Sequence, residues 1–239
     1  MQNIKPENLL LIDIETVPQH HSFEELNEEW KTLWEEKVQR SLPENTSAAA
    51  FYSQRAGVMA EFAKVICISI GYFRKEGNTL TLRLKSFFGD DEKIVLEDFL
   101  KTVQQMESGN NNWSFTGHNI KEFDIPFICR RLLVNGIAIP PYLDFQNMKP
   151  WETNMVDTFQ YWRFGDYKNY TSLKLLAAAM GVPSPKDDID GSMVADVYYN
   201  EKNLQRIVTY CQKDVVTTGN IVLRFKNLPL LGEGQVIIN

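Results

Sequence analysis

The stretch LLLIDIETVP, residues 9–18, places two carboxylates at the end of a run of four large aliphatic residues. Such a run predicts a β-strand covered on both faces, as found inside α/β sheets. Side chains two residues apart on a strand share a face, so Asp13 and Glu15 point the same way and Ile14 points the other way. Two buried like charges are unfavourable unless a cation neutralises them. The stretch therefore predicts either a functional pair at the end of the strand, facing a crevice, or two acids that have already left the sheet and are solvated or cap the next helix.

The composition is that of a globular protein. The chain has 239 residues, of which 44% are hydrophobic and 23% charged, enough for one large core or two small ones. No apolar run approaches the roughly 18 residues of a membrane span, and MQNIKPENLL lacks the layout of a signal peptide. We therefore expect a cytoplasmic protein that does not associate with membranes. The net charge of -6 argues against a broad basic surface that coats nucleic acid, but it allows a few phosphate contacts in a cleft.

The three cysteines do not suggest a metal site or a disulfide framework. Cys67, Cys129 and Cys211 lie far apart, at no metal-ligand spacing, and each within an apolar stretch. They are predicted to be reduced core residues.

Hydrophobic periodicity predicts strands and helices in alternation after the opening strand. The predicted strands are residues 63–73 and 79–88, which form a hairpin turning at residues 76–78, and the shorter segments 113–119 and 155–159. Helical spacing is found in residues 22–42, 172–181 and 204–225 and in a segment just before residue 63. One more helix is predicted to begin after an N-cap at Asp90, and another to end at the stop signal Asn135-Gly136.

This order predicts an α/β fold, with a mixed sheet flanked by helices and a single domain over residues 1–239. Residues 22–63 are expected to be a helical insertion after the first strand. The insertion carries Trp30 and Trp34 beside many glutamates. Its helix either folds back onto the core or forms a partner surface or a rim over a cleft.

Two further aspartates lie in apolar surroundings. In GHNIKEFDIPFICRR, residues 117–131, Asn119 ends a predicted strand and Asp124 lies in the first turn of a helix, where it is either stabilised by the positive end of the helix dipole or contributes to a site. In the last helix, Tyr210 and Asp214 are four residues apart and share the apolar face. Asp214 is thus expected to point inward, as a hydrogen-bonded structural residue or as a functional one.

Taken in order, these acids resemble the motifs of the DnaQ-like, or DEDD, superfamily of 3′–5′ exonucleases. Its D-x-E motif is matched by DIE at residues 13–15, and its N-x(2 or 3)-(F or Y)-D motif by NIKEFD at residues 119–124. Its Y-x-x-x-D motif is matched by YCQKD at residues 210–214, which resembles the tyrosine branch (DEDDy). The histidine branch would need a histidine five residues before the last aspartate, where this chain has Thr209.

The resemblance extends over nearly the whole chain except residues 22–63. The opening DIET looks like the exonuclease domain of family-B DNA polymerases, and the stretch from VDTF through DGSMVADVYY to YCQKDVVTT is similar to the stand-alone PolB-like predicted 3′–5′ exonucleases. The resemblance implies a ribonuclease H-like fold for this chain.

The resemblance also implies a metal-dependent reaction. Phosphodiester hydrolysis needs an activated water and stabilisation of charge on the phosphorus oxygens, which two Mg²⁺ or Mn²⁺ ions roughly 3.5 to 4 Å apart supply. By resemblance, Asp13 would bridge both ions, Glu15 and Asp214 would hold the ion that activates water, and Asp124 would hold the second. Tyr210 would orient the attacking water, since an ordinary tyrosine pKa near 10 makes it a poor base.

Substrate contacts are also implied by the matched positions. Thr16 and Asn119 would bond the terminal nucleotide, and Phe123 would pack against its sugar or base, unless it is a core aromatic. A few cationic side chains are either phosphate contacts or solvated surface residues; these are Arg163, Lys168 and Lys213.

The function expected from the sequence is therefore a 3′–5′ exonuclease acting on the 3′ end of DNA, preferably single-stranded, with RNA left open and no protein partner indicated. Two alternatives stay open. One is a non-catalytic nucleic-acid-binding module on the same fold, which would be expected to have lost a metal ligand. The other is a small-molecule nucleotide phosphohydrolase that uses the same carboxylates on mononucleotides.

Overall fold

A mixed six-stranded sheet forms the centre of the protein, with the order β5-β4-β1-β2-β3-β6. The computed structural model describes residues 4–109, 113–146, 148–149, 152–183 and 189–238. The first strand pairs antiparallel with the second and parallel with the fourth, so it lies in the interior of the sheet. The strands are β1 (Leu9–Pro18), β2 (Ala63–Glu76), β3 (Thr79–Phe88), β4 (Ser114–Gly117), β5 (Met155–Asp157) and β6 (Val236–Ile238).

Helices cover both faces of this sheet, which confirms the predicted α/β class with helices flanking a mixed sheet. The helices are α1 (Glu28–Val38), α2 (Ala48–Arg55), α3 (Glu92–Gly109), α4 (Asp124–Val134), α5 (Thr158–Arg163), α6 (Leu173–Ala179), α7 (Val194–Tyr199) and α8 (Leu204–Phe225). None of them, within the part of the chain that the structure describes, combines the length and the apolar character needed to cross a bilayer.

The two faces of β1 contact different layers. Leu10, Ile12 and Ile14 join the main core with residues of α3 and α4. Leu9 and Leu11 pack on the other face against α8. Because side chains alternate along a strand, Asp13 and Glu15 continue the α8 face, where the strand changes from aliphatic to acidic. The predicted shared face of the two acids is thus confirmed.

Close approach between α8 and the sheet depends on a glycine. A Cβ atom built at Gly219 would lie 3.1 Å from Leu11 Cδ1, tighter than most contacts of this kind. The helix therefore lies directly against β1, which brings its more N-terminal turns close to the acidic end of that strand.

The insertion contains its own small apolar cluster. Trp34 is completely buried there, and its indole Nε1 donates a hydrogen bond of 2.8 Å to the Ala48 carbonyl. Its ring lies 5.0 Å from those of Tyr52 and Phe62 in edge-on contacts. The insertion thus has an apolar cluster of its own, and its end is joined to the sheet by the hydrogen bond from the Thr16 hydroxyl to the Gly57 carbonyl. Trp30 stays 39% exposed, with its ring 5.4 Å from that of Phe62.

Several local predictions need correction. The helix predicted for residues 22–42 begins only at Glu28, after a short 3₁₀ turn, because Asn27 caps it by accepting from the Trp30 amide at 2.9 Å. The cap of α3 is Asp91 rather than Asp90, since the Asp91 carboxylate accepts from the Lys93 amide at 3.0 Å. The predicted strand 155–159 ends at Asp157, because the Asp157 carboxylate caps helix α5 from Thr158. The sequence did not predict helices α5 and α7 or strand β6, which pairs parallel with β3 at the edge of the sheet.

Candidate active site

Asp13 and Glu15 lie near the end of β1, where the strand loses its regular pairing. The register with β2 shifts between Glu15 and Thr16, an irregularity of the kind that redirects side chains next to functional sites. Glu15 is only 7% exposed. One carboxylate oxygen of Asp13, Oδ2, is buried and has no hydrogen-bond partner among the described residues.

Helix α8 supplies the next part of the site. The Cys211 thiol donates to the Asp13 carbonyl at 3.4 Å, which fixes this turn of the helix against the strand. Ligand atoms of Asp13, Glu15 and Cys211 all lie within 4.8 Å of one another. Tyr210 and Asp214, one helical turn apart, are half-buried and interact electrostatically with both acids of β1.

Asp124 reaches the same place from a third element. It is the first residue of α4 and is 4% exposed. Its Oδ1 accepts a hydrogen bond of 3.2 Å from the amide of Ile14, the residue between the two β1 acids. The positive end of the helix also favours a carboxylate at this position. All four acids singled out in the sequence therefore converge.

The loop between β4 and α4 is held by Asp157. This buried carboxylate accepts from the Asn119 amide at 3.0 Å and from the Lys121 amide at 3.1 Å, and it also caps α5. Asn119 adopts a left-handed backbone with φ 66°, a conformation that asparagine tolerates better than most residues. Its side-chain Oδ1 is buried without a hydrogen-bond partner among the described residues. Asp157 thus positions both Asn119 and the entry to α4.

Burial and mutual repulsion dominate the electrostatics of the acids. Burial, followed by the charges of Asp214 and Asp124, raises the pKa of Asp13 well above its usual value. Burial and then Asp13 do the same to the pKa of Glu15. Burial raises the pKa of Asp124 to about 7, although hydrogen bonds from backbone amides, including that of Ile14, partly offset the effect. The apo site therefore favours carboxyl groups that hold their protons.

The two α8 neighbours of the acids stay protonated near neutral pH. Burial, together with Asp214, Glu15 and Asp13, raises the pKa of Tyr210 further above its already high usual value. Burial and the adjacent Cys67 raise the pKa of the Cys211 thiol. Tyr210 can thus donate a hydrogen bond but is a poor base, and Cys211 is a neutral thiol rather than a thiolate ligand.

The acids fit divalent ions that prefer oxygen ligands. The charges that raise the pKa values of Asp13, Glu15 and Asp124 include those of neighbouring carboxylates. The unpartnered Asp13 Oδ2 leaves one buried acceptor in the middle of this charge. A divalent cation would relieve both the desolvation and the repulsion, and Mg²⁺ or Mn²⁺ suits carboxylate oxygens.

The expected substrate contacts lie beside the acids, but their side chains are partly engaged. The Thr16 hydroxyl donates to the Gly57 carbonyl at 2.6 Å, so toward a nucleotide it could only accept a hydrogen bond. Phe123 is half-buried and packs against the main core, with its ring 5.4 Å from that of Phe127. Among the cations, Arg163 pairs with Glu122 at 3.1 Å and Lys168 is exposed. The functional roles of these residues stay predictions.

Sequence reasoning missed two residues of this region. Cys211 was read only as a core cysteine, although it directly follows Tyr210; its contact with Asp13 depends on tertiary packing that spacing does not reveal. Asp157, in the VDTF segment, was assigned to a strand without a role. An aspartate at the point where a strand ends and a helix begins is a recognisable cap signal and could have identified it.

A groove of about 760 Å³ lies beside the acids without containing any of them. From α4 it is lined by residues such as Pro126, Cys129 and Leu133, whereas Asp124, the α4 residue of the acidic cluster, does not line it. The buried acids, rather than this groove, define the candidate site.

Comparison with known proteins agrees with this geometry. A family model described as "Predicted 3'-5' exonuclease related to the exonuclease domain of PolB" matches residues 58–230. The matched range contains Asp124, Tyr210 and Asp214. It begins after β1, so Asp13 and Glu15 lie outside it. No curated protein matches the chain.

Among solved structures, the chain is similar to the family B DNA polymerase from the hyperthermophilic archaeon Pyrobaculum calidifontis, with a TM-score of 0.56 and 16% sequence identity. The match covers 90% of this chain and 24% of the polymerase, so the chain spans about a quarter of that protein. At this identity the similarity concerns the fold alone. With the strand order, it confirms the ribonuclease H-like fold expected from the sequence.

Proposed function

The chain belongs to the family of predicted 3′–5′ exonucleases related to the exonuclease domain of PolB, and from this premise we propose that it is a metal-dependent 3′–5′ exonuclease of the tyrosine branch. The proposed substrate is the 3′ end of DNA, preferably single-stranded, with RNA as the alternative polymer. The observation that carries the proposal is the convergence of four acids from β1, α4 and α8 on one buried position, with pKa values raised for three of them.

In the proposed site, two Mg²⁺ or Mn²⁺ ions would be held by the carboxylates of Asp13, Glu15, Asp124 and Asp214. Ions bound in such a cage lower the pKa of a bound water and stabilise negative charge on the phosphoryl oxygens. Asp13 is the central ligand, since it interacts with both Asp214 and Asp124. The Ile14 amide holds one oxygen of Asp124 and thereby fixes how its carboxylate faces the cluster.

The remaining residues position the reactants. The Tyr210 hydroxyl, which keeps its proton, orients the attacking water beside Asp214 and Glu15 without acting as a base. Asn119 offers its buried side-chain amide to the terminal nucleotide, and Phe123 presents its exposed edge to the sugar or base. Thr16 accepts a hydrogen bond from the 3′-hydroxyl, because its own proton is donated to Gly57. Asp157 holds this loop in place through its amide hydrogen bonds.

The proposal is tested by replacing the central ligand. Asp13→Asn keeps the shape of the side chain but weakens every bond to a cation, so we expect hydrolysis of a single-stranded oligonucleotide to be nearly abolished. The fold should survive, and removing one repelling charge should leave the melting temperature of the metal-free protein unchanged or higher.

The matched control is Asp98→Asn, an exposed aspartate on α3, which should keep wild-type activity. Wild-type turnover by Asp13→Asn with saturating Mn²⁺ would refute the mechanism. Hydrolysis of mononucleotides but not oligonucleotides by the wild-type protein would support a nucleotide phosphohydrolase instead. Binding of oligonucleotides without hydrolysis would support a non-catalytic module.

A further inference from the structure

A short aromatic segment at residues 161–170, YWRFGDYKNY, exposes several large rings to solvent. Phe164 is 86% exposed, Tyr167 78% and Tyr170 65%, and Trp162 is also exposed. Isolated exposed hydrophobic residues are ordinary, but a contiguous group of them indicates an interaction surface. The fold gains little from these side chains, which contribute almost nothing to the core.

The backbone of the segment adds a second unfavourable feature. Phe164 ends α5 in the left-handed region, with φ 45° and ψ 35°. A bulky residue with a side chain rarely adopts this conformation, and the cost is not recovered here because the ring is not buried. The conformation does turn the chain so that the rings after it lie next to α5. Strained backbone of this kind is found preferentially at functional sites.

The segment lies beside the loop that carries Asp124. Arg163 pairs with Glu122, two residues before Asp124, at 3.1 Å. The His118 Nε2 atom is 2.8 Å from the carbonyl oxygen of Thr171, immediately after the segment. The Tyr170 ring is 5.0 Å from that of Phe159. The exposed rings are therefore anchored at the edge of the candidate active site rather than on a distant surface.

Electrostatics supports the same placement. Partial burial, followed by the charges of Asp124 and Asp157, raises the pKa of Tyr170 above its usual value. Tyr170 therefore lies within electrostatic range of Asp124, one of the proposed metal ligands.

Cationic groups accompany the rings. The Arg163 guanidinium carbon lies 4.1 Å from the centre of the Phe159 ring and 5.4 Å from that of Tyr167. Its Nε is buried without a hydrogen-bond partner among the described residues. Lys168 is exposed in the same segment, and the Asp166 side chain is occupied by the Lys168 amide and Asn169. The surface thus combines aromatic faces with positive charge in a chain whose net charge is -6.

We propose that Phe164, Tyr167 and Tyr170 form a stacking platform for unpaired bases of a single-stranded nucleic acid, upstream of the nucleotide held at the carboxylates. The inference rests on the proposed function, because it needs a strand whose 3′ end lies at those acids. Aromatic faces with nearby cations are the usual means of binding single strands without reading their sequence. Base pairs in a duplex do not expose their faces, so the platform also explains a preference for single-stranded ends.

The test is an equilibrium measurement on the intact chain. Anisotropy of a 5′-labelled 12-nucleotide single strand, with Ca²⁺ replacing Mg²⁺ to suppress cleavage, gives the Kd of the wild type and of a Phe164→Ala/Tyr167→Ala variant. Each lost base stack should weaken binding by about 5- to 150-fold. We expect the double variant to lose at least about 10-fold in Kd and, with Mg²⁺, to show a raised KM and an unchanged kcat.

Two controls make the result specific. A Phe164→Trp/Tyr167→Trp variant retains stacking and should bind within about threefold of the wild type. Trp30→Ala removes an exposed aromatic from the insertion and should leave Kd unchanged. A Kd of the alanine double variant within twofold of the wild type, or an equal loss in Trp30→Ala, would overturn the platform.

Failure of the proposed function is recognised separately. A wild-type protein that binds the strand through the platform but never hydrolyses it with Mg²⁺ or Mn²⁺ would refute the nuclease while leaving the platform intact. A wild-type protein that hydrolyses the strand with the same KM as the alanine double variant would refute the platform alone.

Discussion

At the scale of single residues, the site depends most on Asp13. Its carboxylate interacts with Asp214 and Asp124, and its charge is the one that raises the pKa of Glu15 most. Asp124 lies on α4 and Asp214 on α8, whereas Glu15 lies two residues after Asp13 on β1. Asp13 therefore interacts with acids from all three elements of the site. The buried and unpartnered Oδ2 atom is the structural sign of this role, because buried acceptors are nearly always hydrogen-bonded or bound to an ion.

Tyr210 should act by position rather than by proton transfer. Tyr210→Phe keeps the ring and deletes only the hydroxyl, so we expect the rate of hydrolysis in single-turnover experiments to fall by roughly 10- to 1,000-fold, with metal affinity unchanged. The pH profile should keep its shape, since the hydroxyl does not titrate in the working range. A rate equal to that of the wild type would reduce Tyr210 to a packing residue.

Asp124 should make the metal-free protein less stable as the pH rises. Burial raises its pKa to about 7 in the folded protein, against about 3.9 in an unfolded chain. Between these values the folded state binds more protons, so the free energy of unfolding falls with rising pH, by at most about 1.4 kcal/mol per pH unit for this group. The effect is complete above pH 7 and absent below about pH 4.

Urea denaturation in EDTA at pH 5, 6 and 7 measures this dependence. Asp124→Asn should show a shallower fall than the wild type, although not a flat one, because the raised pKa values of Asp13 and Glu15 act in the same direction. Mn²⁺ should restore stability most at the highest pH. An identical slope in wild type and Asp124→Asn would mean that this carboxyl is not forced to hold its proton by folding.

At the scale of secondary structure, three elements create the site, and the sequence predicts each of them. The aliphatic run before Asp13, the helical spacing that follows Asp124 and the apolar face of α8 are local patterns, and such patterns can be recognised in a sequence. The contacts of Cys211 with Asp13 and of Asp157 with the Asn119 loop cannot be predicted in this way, because they depend on which helices and strands pack together. The choice between Asp90 and Asp91 as a helix cap, and the short edge strand β6, lack a local pattern strong enough to decide them.

The position of α4 also depends on contacts that the sequence does not reveal. Arg131, on the side of α4 that faces the core, forms a buried ion pair of 2.6 Å with Glu92 of α3 and donates to the Ala60 carbonyl at 2.9 Å. Glu92 in turn accepts from the Val65 amide at 2.7 Å. The sequence alone does not show which of the two neighbouring arginines, Arg130 or Arg131, is buried. Only the packing reveals that one of them ties the helix of Asp124 to the sheet and to the end of the insertion.

The insertion should stabilise the protein mainly through one residue. Trp34 is completely buried in edge-on contacts, so Trp34→Ala should cost about 3 to 5 kcal/mol of unfolding free energy. Trp30 is 39% exposed, and Trp30→Ala should cost much less. Urea denaturation of both variants compares them. An unchanged stability of Trp34→Ala would mean that the insertion folds independently, whereas altered substrate preference in a stable Trp30→Ala protein would support a rim over the cleft.

At the scale of the whole molecule, charge limits how nucleic acid can be held. The chain has 25 lysines and arginines against 31 aspartates and glutamates, and this excess of acids opposes binding to many phosphates at once. The proposed site therefore gathers positive charge locally, from metal at the acids and from Arg163 and Lys168 beside them. Only the last few nucleotides of a strand should be held, and digestion should proceed by repeated binding and release.

The whole account depends on one claim, that the carboxylate cluster hydrolyses a strand from its 3′ end with the help of divalent ions. A 5′-labelled single-stranded oligonucleotide, incubated with Mg²⁺, Mn²⁺ or EDTA and sampled over time, tests that claim most directly. The account predicts a ladder of labelled products that shorten one nucleotide at a time with either metal, and an intact strand in EDTA. Immediate release of the label as a mononucleotide, which means attack from the 5′ end, or equal digestion in EDTA would contradict it.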